Sequence, residues 1–393
     1  MPSSHSGVGK YVAYQRRLAK LTQQQLADAA GVALGTLRKI ERNERGAGDT
    51  VLEALAEAMR IDLSKLLPQR SHADARVHTA MPALSAALAT YDMPEEGPFR
   101  PLRELRDAVT KAEEWRLGAQ YVLITSKLPG LLTELSRALV AAQGAERQEV
   151  AALLVSAYRT ADAVAFKYGA KDLSARLIGL MKWAAAAADD QLLDTTVAYV
   201  GTEIYFAARA YRTGLRALEA AINAAPPPQD THTTAARGAL HMRAAVVAGR
   251  AGDANAANLH LLEARTLGAR VREGVYAGTA FGPHSVRIHQ VSVAVSLGDD
   301  HLQGALDAAH EWAPPQDMPA ERRSGFYIEL ARAQLWTGRP DDAFESLRTA
   351  RRIAPQHTRE HRWVREVAGT LRRLKRADAE SLTRFAEWCH ATG

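Results

Sequence analysis

Leu21-Thr-Gln-Gln-Gln-Leu-Ala-Asp-Ala-Ala-Gly-Val-Ala-Leu-Gly-Thr-Leu-Arg-Lys-Ile-Glu-Arg-Asn43 is the stretch on which the fold turns. Thr22 can cap a helix over Gln23–Ala30, because its hydroxyl can accept from the free amides of the first turn. Gly31 ends that helix and makes the turn. A second helix follows from about Leu34 to Arg42, with Leu37 and Ile40 on one face. Leu52, Leu55, Ala56 and Met59 supply a further apolar stripe. Two short helices joined by a tight glycine turn, with Leu26, Ala27, Ala30, Val32, Leu37 and Ile40 inward, describe helix-turn-helix geometry.

Outward from this stretch, helical period dominates. Ala, Leu, Arg and Glu recur with apolar positions three and four apart, and β-branched alternation is confined to fragments such as Tyr121-Val-Leu-Ile124. The chain is therefore expected to be all-α. Clusters of Gly, Pro and Asp cut it into helices of ordinary length, as at Pro226-Pro-Pro228, Gly298-Asp-Asp300 and Gly338-Arg-Pro340. The first boundary falls after Leu67. Residues 68–76 are polar and weakly patterned before apolar spacing resumes at Val77, so the expected organisation is a domain at 1–67, a linker at 68–76 and a second domain at 77–393.

The chain has 393 residues and a net charge of +6, too long for one usual core. Its single cysteine, Cys389, excludes a disulfide framework and a cysteine zinc finger, and fits a reducing cytoplasm. No stretch approaches the ~18 apolar residues of a membrane span, and the amino terminus lacks an apolar signal core. Catalytic signatures are missing: Gly7-Val-Gly9-Lys10 lacks the length and the Ser/Thr of a P-loop, and no His-Glu-x-x-His, Gly-x-Ser-x-Gly or Gly-x-Gly-x-x-Gly occurs. No enzymatic activity, cofactor or metal is expected.

Residues 21–43 resemble the phage-repressor-like (Cro/C1, XRE) family of helix-turn-helix DNA-binding domains, through the Leu-Thr-Gln start, the Leu-Ala before an Ala-Gly-Val turn and the Ile-Glu-Arg-Asn end. The resemblance covers residues 9–67 and implies a five-helix, lambda-repressor-like domain that lays its second motif helix in the major groove of double-stranded DNA. Thr22 and Gln23 then stand at a helix N-terminus suited to a phosphate. Leu34, Gly35 and Arg38 occupy base-reading positions, Arg38 being the residue able to make a bidentate contact to guanine. Thr36, Lys39, Arg42, Asn43 and Arg45 are candidates for backbone contact, and Arg16 and Arg17 for flanking phosphates. Leu34 and Gly35 replace residues that are polar in many relatives, which shifts readout toward thymine methyls, Arg38 or DNA shape. One small module neutralises few phosphates, so a homodimer on two half-sites is expected.

In the second domain Gly252, Ala257, Leu261 and Ala264 have the spacing of Gly338, Ala343, Leu347 and Ala350. Small residues so placed let two helices approach closely and stack as hairpins. The segment Trp336–Pro355 resembles a tetratricopeptide repeat, as does 245–270; over 77–240 a generic helical bundle is the alternative. Residues 281–298 are similar to the Phe-Gly-Pro…His…Val-x-Val…Leu-Gly segment of actinobacterial regulators that join a phage-repressor-like head to a tetratricopeptide body, with Ser285 where Asn is expected. The resemblance implies a groove for a peptide or small-molecule effector. Its candidates are Phe281, His284, Ser285, Arg287 and His289, together with Tyr205 or Tyr327; satisfied histidines and packing aromatics are the other reading.

Charge is unevenly placed. Eleven Lys/Arg against seven Asp/Glu give residues 1–70 a net +4, and ten against three give residues 345–376 a net +7, with −3 in between and −2 at the tail. For the second cluster, a solvated face, docking against acidic helices and auxiliary DNA contact all remain open. The expected function is a sequence-specific transcription regulator. The runner-up is an interaction scaffold that acts on another regulator with little DNA readout of its own.

Overall fold

The structure, a computed structural model, describes residues 8–42, 44, 47, 49–61, 66, 72–374 and 379–391. Asn43 and Arg45 lie outside the described residues. The chain divides into two compact units, Met1–His78 and Thr79–Ala391.

The first unit contains α1 (Val8–Leu18), α2 (Gln23–Ala29), α3 (Leu34–Glu41) and α4 (Asp49–Ala58). Thr22 caps α2 as its sequence requires: its hydroxyl accepts from Gln25 N at 3.1 Å, and the Gln25 side chain accepts from Thr22 N at 2.8 Å. Gly31, at φ 63°, turns the chain out of α2 through a left-handed conformation that costs glycine little. Val12, Leu26, Ala27, Leu37, Ile40, Leu52, Leu55 and Met59 close one core, each large side chain stabilising it by roughly 1.5–3 kcal/mol. Four helices are thus found among the described residues of 8–61; a fifth within 9–67, as the resemblance implies, would fall on residues 62–67, of which only Leu66 is described. The next helix, α5 (His72–Ala89), begins inside the polar stretch 68–76, and the division between units falls within it.

Among its described residues the second unit is built of helices, apart from one small hairpin and a 3-10 turn at Asp299–His301. It contains α6 (Leu102–Leu117), α7 (Tyr121–Ala141), α8 (Gly144–Lys167), α9 (Lys171–Ala188), α10 (Gln191–Ala208), α11 (Tyr211–Ala224), α12 (Thr231–Ala251), α13 (Ala254–Gly268), α14 (Pro283–Leu297), α15 (Leu302–Ala309), α16 (Ala320–Trp336), α17 (Pro340–Ile353), α18 (Pro355–Glu360), α19 (Arg362–Leu374) and α20 (Ala379–Trp388). Short turns force consecutive helices to pack as hairpins. The even-numbered helices α6 to α16 also pack against one another in order, as an inner row, and α6 meets α16 again at the far end. The hairpins therefore wind into a superhelix whose inner faces close on one another.

The repeat spacing is realised. Gly252 and Gly338 both adopt φ 76° in hairpin turns, and Ala257, Ala264, Ala343, Leu347 and Ala350 are fully buried between helices. One element departs from the all-α expectation: β1 (Gly274–Tyr276) pairs antiparallel with β2 (Thr279–Phe281). Its two-residue turn, Ala277 at φ 44° and Gly278 at φ 72°, has the positive φ values of a tight hairpin. No helix among the described residues is long and apolar enough to cross a membrane.

Candidate nucleic-acid interface and the polar interior

The helix-turn-helix is held by one carboxylate. Glu41, at the end of α3, accepts from Arg16 Nε at 2.6 Å and Nη2 at 3.1 Å, and from Gln23 Nε2 at 2.7 Å. Arg16 also donates to Leu21 O at 2.9 Å. The side chains of Arg16 and Glu41 are only 11% and 6% exposed, so this pair ties α1 to α3 and sets the start of α2 beside them. Arg16 is thereby occupied within the protein, unlike Arg17, which is exposed. Glu41 stands in the Ile-Glu-Arg run of the sequence, but periodicity alone marks it as a solvated charge.

The outer face of α3 presents Gly35, Arg38 and Lys39, all exposed, with Thr36 half-buried beside them. A Cβ added at Gly35 would meet nothing within 4 Å, so α3 has a flat, open surface there. Arg42 is exposed, pairs with Glu44 at 3.3 Å and donates to Arg38 O at 3.3 Å. Leu34 differs from the outward position expected of it. It is half-buried and packs against the core, because a side chain in the first turn of a helix leans back over the preceding segment. Thr22 is exposed and Gln23 half-buried at the α2 N-terminus. The face can therefore set a guanidinium and an ammonium against a polyanion, next to a helix end that favours phosphate.

Residues 12–66 match the helix-turn-helix family HTH_3. No curated protein matches the chain. Among solved structures the chain is similar to Bacillus thuringiensis PlcR in complex with the peptide PapR7 and DNA, at 14% identity and a TM-score of 0.30, over 66% of this chain and 93% of that one. It is also similar to a mutant of PrgX, at 10% identity and a TM-score of 0.23, over 97% and 99%. Neither likeness is close enough to carry an argument about this chain.

In the second unit, the five residues expected to form an effector site do not converge on one cavity. Phe281 is fully buried against Gly238 of α12. Ser285 Oγ donates to Glu273, whose carboxylate also accepts from His284 N at 2.8 Å and Ser285 N at 3.0 Å and so caps α14. His284 stacks on Trp312 at 6.0 Å; Arg287 lies 4.7 Å from the same ring and donates to Ala308 O at 2.8 Å. Only His289 faces the interior. Packing, capping and stacking account for the other four.

What fills the interior is polar, and each inner helix contributes: Arg116 from α6, Arg159 from α8, Tyr199 from α10, Arg243 from α12, His289 from α14 and Arg322 from α16. The tip of the β-hairpin enters this space. Arg116 Nη2 donates to Gly278 O at 2.9 Å, and Arg159 donates to Ala277 O at 2.5 Å and Thr279 Oγ1 at 2.7 Å. A Cβ at Gly278 would lie 2.8 Å from Arg116 Nη2 and 2.9 Å from Arg159 Nη1, and the residue's φ of 72° itself favours glycine at the tip. Burial, and then Arg116 beside it, pull the Arg159 pKa down to about 9. Arg322 Nη2 donates to Tyr199 Oη at 2.7 Å; burial alone would raise that phenol, but Arg322 and Arg243 outweigh it and lower its pKa. Asp162 accepts from Ser174 at 2.6 Å, and burial raises both it and the neighbouring Glu203, so at neutral pH the carboxyl pair retains a proton. Of these, only His289 is among the residues the sequence marks as candidates. The remaining signal was faint: single polar residues, as in Tyr158-Arg-Thr-Ala-Asp162, set in helices otherwise rich in small apolar ones.

Proposed function

We propose that the chain is a cytoplasmic, sequence-specific DNA-binding transcription regulator that works as a homodimer. Its head is residues 1–67, its linker 68–76, and its body, residues 77–393, is a tetratricopeptide-like superhelix that senses an effector. The supporting observation is the exposed Gly35/Arg38/Lys39 face of α3 with Arg42 just beyond its end, fixed by Glu41 beside the capped start of α2, within residues that match a helix-turn-helix family.

Arg38 reads a base, Lys39, Arg42 and Arg17 hold phosphates, and the α2 N-terminus at Thr22 and Gln23 fixes register on the backbone. Two heads on half-sites about one helical turn apart supply the affinity that one lacks. The action is binding and not catalysis. An effector acts through its differential affinity for two arrangements of the dimer. The test is a gel shift at moderate salt with fragments recovered by genome-wide pull-down. The wild type shifts a selected fragment and Arg38→Ala does not; absence of any sequence-selective shift by the wild type sinks the reading.

A further inference from the structure

A second cationic site lies on the body, away from its closed interior. The C-terminal ends of α10, α12, α14 and α16 open onto a cleft of about 660 Å³, lined by Arg209, Arg250, Arg332, Arg362, Trp336 and Trp363 among others. The volume is that of a pocket for a small organic molecule.

Charge is in excess there. The lining includes four arginines and neither Asp nor Glu. Glu329, behind them, pairs with two of the four, Arg332 at 2.5 Å and Arg250 at 3.8 Å. Arg209 and Arg362 have no carboxylate partner among the described residues. Helix C-terminal ends add partial negative charge, at most about half a unit each, which leaves the guanidiniums dominant. Arg209 and Arg250 are well placed against those ends. Arg362 is not: it is the first residue of α19, where the helix dipole disfavours a cation. Helix stability therefore does not account for a cation at this position.

Stacking sets the geometry. Trp363 lies under Arg332 at 3.8 Å and Arg362 at 3.9 Å, and Trp336 lies 4.7 Å from Arg332. A guanidinium held over an indole can keep N–H groups free to donate to a carboxylate or phosphate. Trp336 remains 43% exposed, which supplies apolar surface at the cleft.

We propose that this cleft binds a small organic oxyanion, with a carboxylate or phosphate head held by Arg362 and Arg209 and an apolar body against Trp336. Arg362 belongs to the basic segment 345–376, so part of that segment's excess charge gains a ligand-binding role. Binding here stands on the cleft alone, whereas its use as an effector site rests on the regulator reading above.

The probe is anilinonaphthalene sulfonate, an aromatic anion, titrated into the full-length chain, with uncharged phenylnaphthylamine as its neutral counterpart. The wild type takes up the sulfonate at one saturable site that weakens as salt rises. Arg362→Ala and Arg209→Ala, on separate helices, each weaken it about tenfold, the effect of one charge-assisted hydrogen bond, while Arg362→Lys keeps part of the affinity. Equal affinity in the wild type and both alanine variants overturns the proposal, as does equal binding of the neutral counterpart. Arg38→Ala, which removes the gel shift, leaves this titration unchanged, so the two readings fail separately.

Discussion

His289 and Arg322 meet with their charges opposed: His289 Nδ1 donates to Ser285 O at 2.8 Å, and Arg322 Nη1 lies 3.2 Å from His289 Nε2, which must therefore stay unprotonated to accept. His357 repeats the arrangement with Ser324 Oγ at 2.7 Å and Lys167 Nζ at 3.2 Å. Burial, followed by the adjacent cation, depresses both imidazoles to about 3. Burial likewise lowers His241 and His361.

A stability loss in mild acid follows. The unfolded histidines take up protons near pH 6.5, while the folded ones do so only near pH 3. Their contribution is complete above pH 6.5 and is lost as pH falls, at about 1.4 kcal/mol per pH unit for each histidine. The Asp162–Glu203 pair acts in the opposite sense, since burial raises both carboxyls, but the five histidines that burial depresses, His260 among them, outnumber it. Urea unfolding of the full chain is expected to show a lower midpoint at pH 5 than at pH 7, and His289→Gln to reduce the difference. Superimposable pH profiles for the variant and the wild type would contradict this.

Arg16 and Arg38 should separate by phenotype. Arg16→Ala leaves Glu41 buried without its cation, a loss on the order of 3 kcal/mol, so the head melts earlier. Arg38→Ala removes an exposed side chain and leaves the melt within about 0.5 kcal/mol of the wild type. A calorimetric scan of each variant reads both, and a larger destabilisation from Arg38→Ala would show that Glu41 does not hold the head together.

On DNA, Arg38→Ala is expected to cost about 1–3 kcal/mol on the preferred fragment and to relax preference at one base pair. Lys39→Ala and Arg17→Ala should weaken all fragments alike and lower the salt dependence by about one ion each. Salt titrations of the gel shift distinguish these outcomes. A uniform loss from Arg38→Ala would reassign that residue to the backbone.

Gly238→Ala probes the packing behind the β-hairpin. The added Cβ would fall 2.0 Å from Phe281 Cζ, and Phe281 is fully buried, so the ring or the helix must shift. Overpacking of this kind costs about 1–3 kcal/mol or more. Phe281→Leu in the same chain should recover part of the loss; additive destabilisation by the two changes would mean the contact is not the cause.

The local elements follow from near neighbours along the chain. Thr22, Gln25 and Gly31 act on their immediate neighbours through capping and a left-handed turn, and Ala257, Leu261 and Ala264 recur at hairpin spacing, so the helices and their small-residue seams were legible without any long-range information. The roles of the charged residues depend instead on long-range packing. Arg16 and Arg38 are alike in sequence, yet the first is enclosed with Glu41 from 25 residues away and the second faces solvent. Arg116, Arg159 and Arg322 come from three distant helices and are brought together by the closure of the inner row; four of the five effector candidates, although adjacent in sequence, are drawn into packing, capping and stacking. Helical period records which side of a helix is apolar. Whether a charge is buried, paired or free depends on which other helix covers it, and that is fixed by contacts across hundreds of residues.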